Sequence, residues 1–447
     1  MILPSRIALS SIFRVLALYL GLVIYSATYE YFYSNQLTVL IHDNYTAFDF
    51  SRLEIYRLIC FLTPLAILPI GTRLRAPGQL IAGAAAVFIF IPIPIVFVPM
   101  VSTAEFWQVY TLLWLGYFAT CSLSSLAVRI RLPVVSEQGF RRGMLIFFVL
   151  LGVGFLYALA TNHVATPSLA KAHEATADVT VTGWQGYMLV GYITSFGGLF
   201  VAIIIMFRKY YLLPLALAGF VCCYVTLAER NAVLMPAWIA YAYLAQRFFY
   251  RDSVLKFMAS VAAPFLIGVV AATLIGLEDR QSVFYDVFTL ASYRLYSIPA
   301  IGFNVYYDFF TIHPLTYWSH IGVVSNFVNY PYGQPLALVM AQAYELGNDN
   351  ASYLQTDGLA AAGASMLPFI SIIFGLVLLA MNSCMRGLNL TLYAIVMAGS
   401  TIALVDTGLG PGLLTNGLIF LTVILLFAPR HASWNLRYLL PASSRAT

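Results

Sequence analysis

Long apolar stretches with almost no charge dominate this sequence, and they restrict the folds that it can adopt. A membrane-spanning helix needs about 20 consecutive apolar residues, and only 9% of the 447 residues are charged while 61% are hydrophobic. A soluble domain carries about 25% charged residues. We therefore predict an all-α, polytopic integral membrane protein with about twelve transmembrane helices, over roughly 8–32, 54–71, 79–101, 105–128, 142–161, 185–207, 210–228, 231–248, 255–276, 360–382, 388–407 and 411–428.

These spans divide the chain into three parts. We expect transmembrane helices 1 to 9 in residues 1–276, a large outer loop in residues 277–359, and helices 10 to 12 with a cytoplasmic tail in residues 360–447. A connection as long as this loop is usually functional. Its apolar stretches at about 283–297 and 336–346 predict short helices that lie on the membrane surface.

Prolines mark the third predicted span. Pro92, Pro94 and Pro99 fall within about two turns of its outer half. Each proline lacks a backbone donor and clashes with the preceding helical turn. We therefore expect this helix to be kinked, or unwound at its outer end.

Charge is distributed unevenly across the predicted membrane. All but six of the 23 Lys and Arg residues fall in the connections on one side, and all of the 18 acids except Glu137 and Asp252 fall on the other. Short loops rich in Lys and Arg stay cytoplasmic, so both termini are predicted to be cytoplasmic. This bias accounts for most of the net charge of +5, which therefore does not indicate a nucleic-acid partner.

Six basic residues remain on the outer side, where an anionic ligand would explain their presence: Arg52, Arg57, Lys171, Arg230, Arg280 and Arg294. Arg230 follows Glu229 in a very short outer turn, and Arg294 follows Tyr293 in the large loop. The guanidinium fork suits phosphate oxygens bidentately. Arg230, Arg294, Arg280 and Lys171 are therefore candidates for binding a lipid-linked diphosphate, although each also fits an interfacial anchor or an ion pair.

The large loop also contains candidates for a general base and for sugar binding. His313 and His320 are candidates because a histidine side chain titrates near neutrality, and Asp357 because burial can make a carboxylate a better base. Asn350 and the tyrosines of the loop offer amides, hydroxyls and aromatic faces for sugars. No HExxH, GxSxG, P-loop or CxxC spacing occurs, and we predict neither a metal nor another cofactor.

Taken together, these residues resemble those of the Wzy-type polymerases of oligosaccharide repeat units. The resemblance rests on a dozen spans with a large late outer loop, on Glu229-Arg230-Asn231 at the start of a span, and on Arg294 before an amphipathic stretch. It also rests on Asn350-Ala351-Ser352, with Asp357 and Gly358, leading into a span.

The resemblance implies a metal-independent glycosyltransferase in the bacterial inner membrane. A growing glycan on undecaprenyl diphosphate would be transferred, with inversion, to a sugar hydroxyl of one lipid-linked repeat unit. Arg230 and Arg294 would stabilise the leaving diphosphate, and His320, His313 or a loop carboxylate would accept the proton. Expected substrate contacts are Arg280, Lys171, Glu229, Tyr293, Asn350 and Asp357. A flippase and a chain-length regulator of the same pathway would be partners.

Two other functions remain open at this level. An O-antigen ligase would use the same donor but deliver the glycan to a lipid A core. A transporter of polyprenyl-linked oligosaccharides would instead be expected to show inverted repeats and broken helices at mid-membrane. A scaffold without catalytic activity fits poorly with the size and polarity of the large loop.

Overall fold

The computed structural model describes residues 6–37, 47–131, 133, 135–161, 183–227, 229–277, 283–321, 324–344 and 351–430. No β-strand occurs in these ranges, and one isolated bridge pairs Arg73 with Ser253. The helices are α1 Arg6–Phe32, α2 Leu53–Ile67, α3 Pro77–Ala85, α4 Pro92–Phe97, α5 Thr103–Ser124, α6 Glu137–Thr161, α7 Trp184–Gly191, α8 Gly197–Met206, α9 Leu213–Leu227, α10 Arg230–Ala245, α11 Val254–Ile275, α12 Val283–Tyr296, α13 Ile298–Ile312, α14 Leu336–Tyr344, α15 Leu367–Cys384, α16 Leu390–Asp406, α17 Leu409–Leu413 and α18 Leu418–Leu426.

Nine helical segments within the described ranges are long and apolar enough to cross a membrane, which confirms the prediction of a polytopic membrane protein. The other three predicted spans are also helical, as α5, α10 and α16, and the number twelve stays a prediction. The nine are Ser10–Leu37, Phe50–Ile70, Pro77–Met100, Glu137–Thr161, Trp184–Met206, Tyr210–Leu227, Val254–Ile275, Ala364–Cys384 and Leu409–Leu426.

The third span is interrupted at its prolines, as its sequence predicts. A π-helical turn over Ala86–Phe90 separates α3 from α4, which begins at Pro92. A 3-10 turn over Val98–Met100, with Pro99 at its start, ends the span. Proline is tolerated at such starts because the first turn of a helix does not use the backbone donor that proline lacks.

Hydrogen bonds tie together the connections at one end of the helix bundle. Leu74 N donates to Asp252 O over 2.7 Å, and Asn382 Nδ2 donates to Ser124 O over 2.7 Å. Thr391 Oγ1 lies 2.7 Å from Gln246 Oε1. The opposite end, which we call the site end, contains residues 98–105, 313–321, 356–364 and 407–409. There Thr316 N donates to Ala360 O, and Leu409 N donates to Asp357 Oδ2.

Helices α12 and α13 form a hairpin inside the bundle. The Tyr296 hydroxyl at the end of α12 donates to Val261 O over 2.7 Å. Val261 lies about 10 Å from the Val254 end of α11, which is about 33 Å long. Helix α13 then returns to the site end, where the Tyr307 hydroxyl donates to Glu105 Oε1 over 2.5 Å. The hairpin therefore enters and leaves the bundle at the same end.

This hairpin corrects the expectation that the 283–297 stretch lies on the membrane surface. Phe288 packs so closely on α11 that a Cβ on Gly268 would lie 2.9 Å from its ring. Tyr296 and Ser297 are almost completely buried. Its apolar residues favour a surface helix when read alone, but here neighbouring helices bury the face that carries Phe288, Ser292 and Tyr296, while Val287 stays exposed.

A second segment reaches into the bundle beside this hairpin. The π-helical turn Leu354–Ala360 rises toward the site end, and the Tyr353 ring before it lies 4.5 Å from that of Phe374, two turns inside α15. Gln355 Nε2 donates to Pro299 O over 2.5 Å. The turn of the α12–α13 hairpin and the start of this segment therefore meet inside the protein.

The last span is broken between α17 and α18. Gly417 has a positive φ of 75°, and the Asn416 carbonyl accepts hydrogen bonds from Thr194 Oγ1 at 2.8 Å and Ser195 Oγ at 2.6 Å. Helix α18 has nine residues, which is about 14 Å, or about half of a bilayer core. The break therefore lies near the middle of the span, where the two hydroxyls satisfy its backbone.

Candidate functional site

A cavity of about 520 Å³ lies at the site end. Its lining includes His320, Tyr330 and Tyr332 from the large loop, Thr356 from the second inserted segment, and Gly408 from the start of the last span. Three separate parts of the chain therefore build one cavity. Among the described residues that line it, none is Lys or Arg, so its walls suit a neutral polar ligand better than an anion.

His320 and Asp357 form the only described pair of opposite titratable groups at this cavity. His320 Nε2 lies 3.9 Å from Asp357 Oδ1, and the two side chains are 12% and 3% exposed. This separation is too long for a direct hydrogen bond. It allows an ion pair when the imidazole is protonated, and His320 lines the cavity while Asp357 lies behind it.

Thr316 orients the His320 ring. Its hydroxyl donates to Ala360 O over 3.0 Å, and the same oxygen lies 2.9 Å from His320 Nδ1. A hydroxyl has one proton. When that proton is directed at Ala360, the hydroxyl oxygen accepts from Nδ1–H. We assign this tautomer to His320, and in the neutral ring Nε2 then carries the lone pair on the side of Asp357.

The last span holds the Asp357 carboxylate in place. Leu409 N donates to Asp357 Oδ2 over 2.7 Å, and Thr356 Oγ1 lies 3.0 Å from the same oxygen. A Cβ on Gly408 would lie 2.8 Å from Oδ2 and 2.6 Å from Thr356 Oγ1. The glycine at position 408 therefore lets the backbone approach the carboxylate closely, and a larger residue would force these side chains to shift.

The turn that carries His320 has a strained backbone. Tyr317 and Trp318 both have positive φ, at 47° and 61°, which costs about 1–3 kcal/mol each for residues of this kind. Thr316 N and Tyr317 N donate to Ala360 O and Ala361 O over 2.8 and 3.0 Å. These bonds anchor the strained turn to the inserted segment and bring His320 to Asp357.

Tyrosines supply much of the outer wall. The Tyr330 hydroxyl donates to Gln334 O over 3.1 Å, and the Tyr332 hydroxyl to Pro314 O over 2.6 Å. Burial, with the neighbouring Tyr332, raises the pKa of Tyr330 to about 12. Burial also raises the pKa of Tyr332. Both hydroxyls are therefore protonated at neutral pH, and the rings provide flat apolar faces.

The structure brings together His320 and Asp357 but not the other predicted residues that it describes. His313 stacks on Phe309 at a ring distance of 3.9 Å, is exposed, and does not line the cavity. Glu229 is the N-cap of α10 and accepts from Asn231 Nδ2 over 2.9 Å. Both therefore have local structural roles.

The remaining predicted residues are described in part or not at all. Lys171, Arg280 and Asn350 lie outside the described residues, as do the side chains of Arg230, Tyr293 and Arg294. The backbone of Arg230 begins α10, and that of Arg294 lies in the last turn of α12. Arg294 thus belongs to the hairpin within the bundle and not to a surface loop.

A further outer arginine has a structural role. Arg52 pairs with Asp49 at 3.0 Å and donates to Val98 O and Val101 O over 2.8 and 2.5 Å. These bonds satisfy carbonyls at the end of the proline-interrupted span. The Arg52 guanidinium therefore bonds to groups of the protein itself.

Sequence reasoning missed Thr316 and Gly408, which position the histidine and the carboxylate. Gly408-Leu409-Gly410-Pro411-Gly412 is a dense glycine cluster at the start of a span. Glycine where a backbone approaches another group closely is a recognisable signal, but it does not identify the group. No comparable local signal distinguishes Thr316 from other threonines.

Within the described ranges, no three His, Cys, Asp or Glu side chains are placed to hold a metal ion. Comparisons with protein-family models, with curated proteins and with solved structures each found no match.

Proposed function

We propose that this protein polymerises lipid-linked oligosaccharide repeat units by inverting glycosyl transfer at the outer face of a bacterial inner membrane. The observation that carries the proposal is the orientation of His320 toward Asp357 at the wall of a cavity that also carries tyrosine rings, hydroxyls and an amide. Hydroxyls, amides and aromatic faces are the groups that recognise sugars. A base beside them can remove a proton from a sugar hydroxyl.

The charge distribution supports an outer location for the cavity. The end opposite the site end carries Arg73, Arg75, Arg251, Arg386 and Arg430. Such clusters stay cytoplasmic. The site end then faces outward in a multi-pass protein, where lipid-linked glycans would be delivered by a flippase.

In the proposed reaction, the acceptor hydroxyl approaches from the cavity and donates a hydrogen bond to His320 Nε2. Nε2 takes its proton as the hydroxyl oxygen bonds to the anomeric carbon of the donor. The bond between that carbon and the diphosphate oxygen breaks, and undecaprenyl diphosphate leaves. Asp357 stabilises the imidazolium that forms, as a fixed counter-charge in a poorly solvated site.

Arginines would stabilise the departing diphosphate in this proposal. Arg230 starts α10, and Arg294 lies one turn or less from the end of the first helix of the α12–α13 hairpin. The hairpin turn contacts Gln355 through Pro299, two residues before Asp357. For Arg294 to take this role, the donor headgroup would have to enter the bundle.

A transporter is the second candidate, because two observations favour it. The last span is broken at Asn416 near mid-depth, and the α12–α13 hairpin enters and leaves at one end. Discontinuous helices that meet at mid-membrane are typical of secondary transporters. This candidate predicts movement of the substrate across the membrane without chemical change.

Reconstitution separates these functions. Purified protein in liposomes receives a repeat unit linked to undecaprenyl diphosphate, and the products are resolved on a gel. Polymerase activity gives a ladder spaced by one repeat unit, and His320→Gln should reduce it at least about 100-fold. His313→Gln is the matched control and should leave the ladder intact.

Two other outcomes would contradict the polymerase. Glycosylation of added lipid A core without a ladder would identify a ligase. Unchanged substrate that becomes accessible to an external lectin would identify a transporter. An unaltered ladder from His320→Gln would remove the histidine from the mechanism.

A further inference from the structure

A second cavity lies at the site end on the other side of α13. It has a volume of about 470 Å³ and is lined by residues from the start of α5, from α13 and from the 3-10 turn Ala364–Met366 before α15. Tyr306 lines the first cavity and the adjacent Tyr307 lines the second. One helix therefore separates two cavities, each within the size range of small-ligand sites.

The polar groups of the second cavity are arranged along one stripe of α5. Glu105 and Gln108 are one turn apart on the same helix face, and Ser102 and Ser365 add hydroxyls. Below them, Leu112 continues the stripe with an apolar side chain. The cavity thus has a polar upper part and an apolar lower part.

Tyr307 fixes the Glu105 carboxylate at this cavity. Its hydroxyl donates to Glu105 Oε1 over 2.5 Å, and its ring packs against Phe97 at 4.9 Å. One carboxylate oxygen is thereby held in place, and an ionised carboxylate has further acceptor sites to offer to a ligand. The acid is positioned and is not simply a solvated surface charge.

The chemistry of the lining indicates the class of ligand. Among the described residues that line the cavity there is one carboxylate and no Lys or Arg, which disfavours a phosphate. A single carboxylate that already accepts a hydrogen bond is a poor cation site, because hard cations take about six or more oxygen ligands. A neutral polyhydroxyl ligand fits, since Glu105 accepts from hydroxyls while Gln108 both donates and accepts.

We propose that this second cavity binds the sugars of a second glycan chain, with Glu105 and Gln108 as its recognition residues. The proposal rests on the proposed polymerase function, which brings two lipid-linked glycans to one protein. The first cavity holds the reacting hydroxyl at His320. The second holds sugars of the other chain across α13, and its apolar lower part faces the lipid tail.

Direct binding tests this assignment independently of catalysis. The probe is the free repeat-unit oligosaccharide, released from its lipid by mild acid, titrated into protein in lipid nanodiscs and followed by saturation-transfer NMR. Glu105→Gln keeps an acceptor for Tyr307 but removes the charge, and it should weaken binding at this site about tenfold or more. Gln108→Ala should weaken it by a similar factor.

Glu54→Gln is the matched control, because Glu54 is an exposed carboxylate in the first turn of α2 and lines neither cavity. It should bind as the wild type does. Binding by Glu105→Gln within twofold of wild type would overturn the inference. So would a wild-type protein that binds no oligosaccharide.

The two proposals fail in distinguishable ways. If Glu105→Gln gives a wild-type ladder, with unchanged binding and unchanged KM, the polymerase proposal stands and the second glycan site is rejected. If oligosaccharide binding depends on Glu105 but the protein makes no ladder, the glycan site stands and the polymerase proposal is rejected.

Discussion

His320 Nε2 and Asp357 Oδ1 face each other across 3.9 Å, and each is held by a different part of the chain. Thr316 orients the histidine through Nδ1, whereas the Leu409 amide binds the other carboxylate oxygen. These hydrogen bonds use Nδ1 of His320 and Oδ2 of Asp357, so Nε2 and Oδ1 are the atoms that face each other. In the proposed function, His320 Nε2 is the base and Asp357 is its counter-charge.

Removing the Thr316 hydroxyl should lower the proposed polymerase activity while preserving the fold. In Thr316→Val, His320 Nδ1 loses its partner, and the ring can rotate or change tautomer. We expect kcat to fall about tenfold to a hundredfold, which is part of the about 10²–10⁴ that a general base contributes, with KM unchanged. Thr311→Val is the control, since Thr311 bonds only locally to Asp308 O. Equal kcat in both variants would contradict the assigned tautomer.

A methyl group at position 408 should displace the Asp357 carboxylate. In Gly408→Ala the new Cβ would lie within 3 Å of Asp357 Oδ2 and Thr356 Oγ1, so Asp357 must move away from His320. We expect at least about a tenfold loss of activity, with about 1–3 kcal/mol lost from the free energy of unfolding. Gly410→Ala is a matched control, because its nearest neighbour would be Ile321 at 3.6 Å. A fully active Gly408→Ala variant would show that the approach is not needed.

The hairpin should shield its turn from reagents outside the membrane. Ala300 is fully buried and Phe327 is 87% exposed. In a Cys384→Ser background, where the other four cysteines are buried, Ala300→Cys should not react with an impermeant maleimide, and Phe327→Cys should react rapidly. If Ala300→Cys labelled as fast as Phe327→Cys, the 283–312 segment would lie on the surface.

Two hydroxyl donors, Thr194 and Ser195, should stabilise the break in the last span. Ser195→Ala removes one hydrogen bond to the Asn416 carbonyl and the 3.2 Å contact with Ser400 Oγ. We expect about 1 kcal/mol less stability, measured by denaturation in mixed micelles. Ser122→Ala is the control, because Ser122 is partly exposed and bonds only to Phe118 O in its own helix. A loss in Ser195→Ala no larger than that in Ser122→Ala would mean that the break does not rely on this bond.

Apolar length and charge asymmetry are sufficient to determine the class of this protein. An uncharged stretch of about 20 residues can only be solvated by lipid or by other helices, so the sequence alone predicts a helical membrane protein. It also identifies the prolines that interrupt the third span, because proline acts on its own helix. Such effects are local and can be read along the chain.

Only the tertiary structure decided which residues share a site. His320 and Asp357 were separate candidates among many, and His313 was indistinguishable from His320 until packing placed it against Phe309. Thr316 and Gly408 act through partners that lie 44 to 51 residues away, at Ala360 and Asp357. Contacts of this kind arise from how helices pack, and the sequence of one helix does not determine which neighbour will cover its faces.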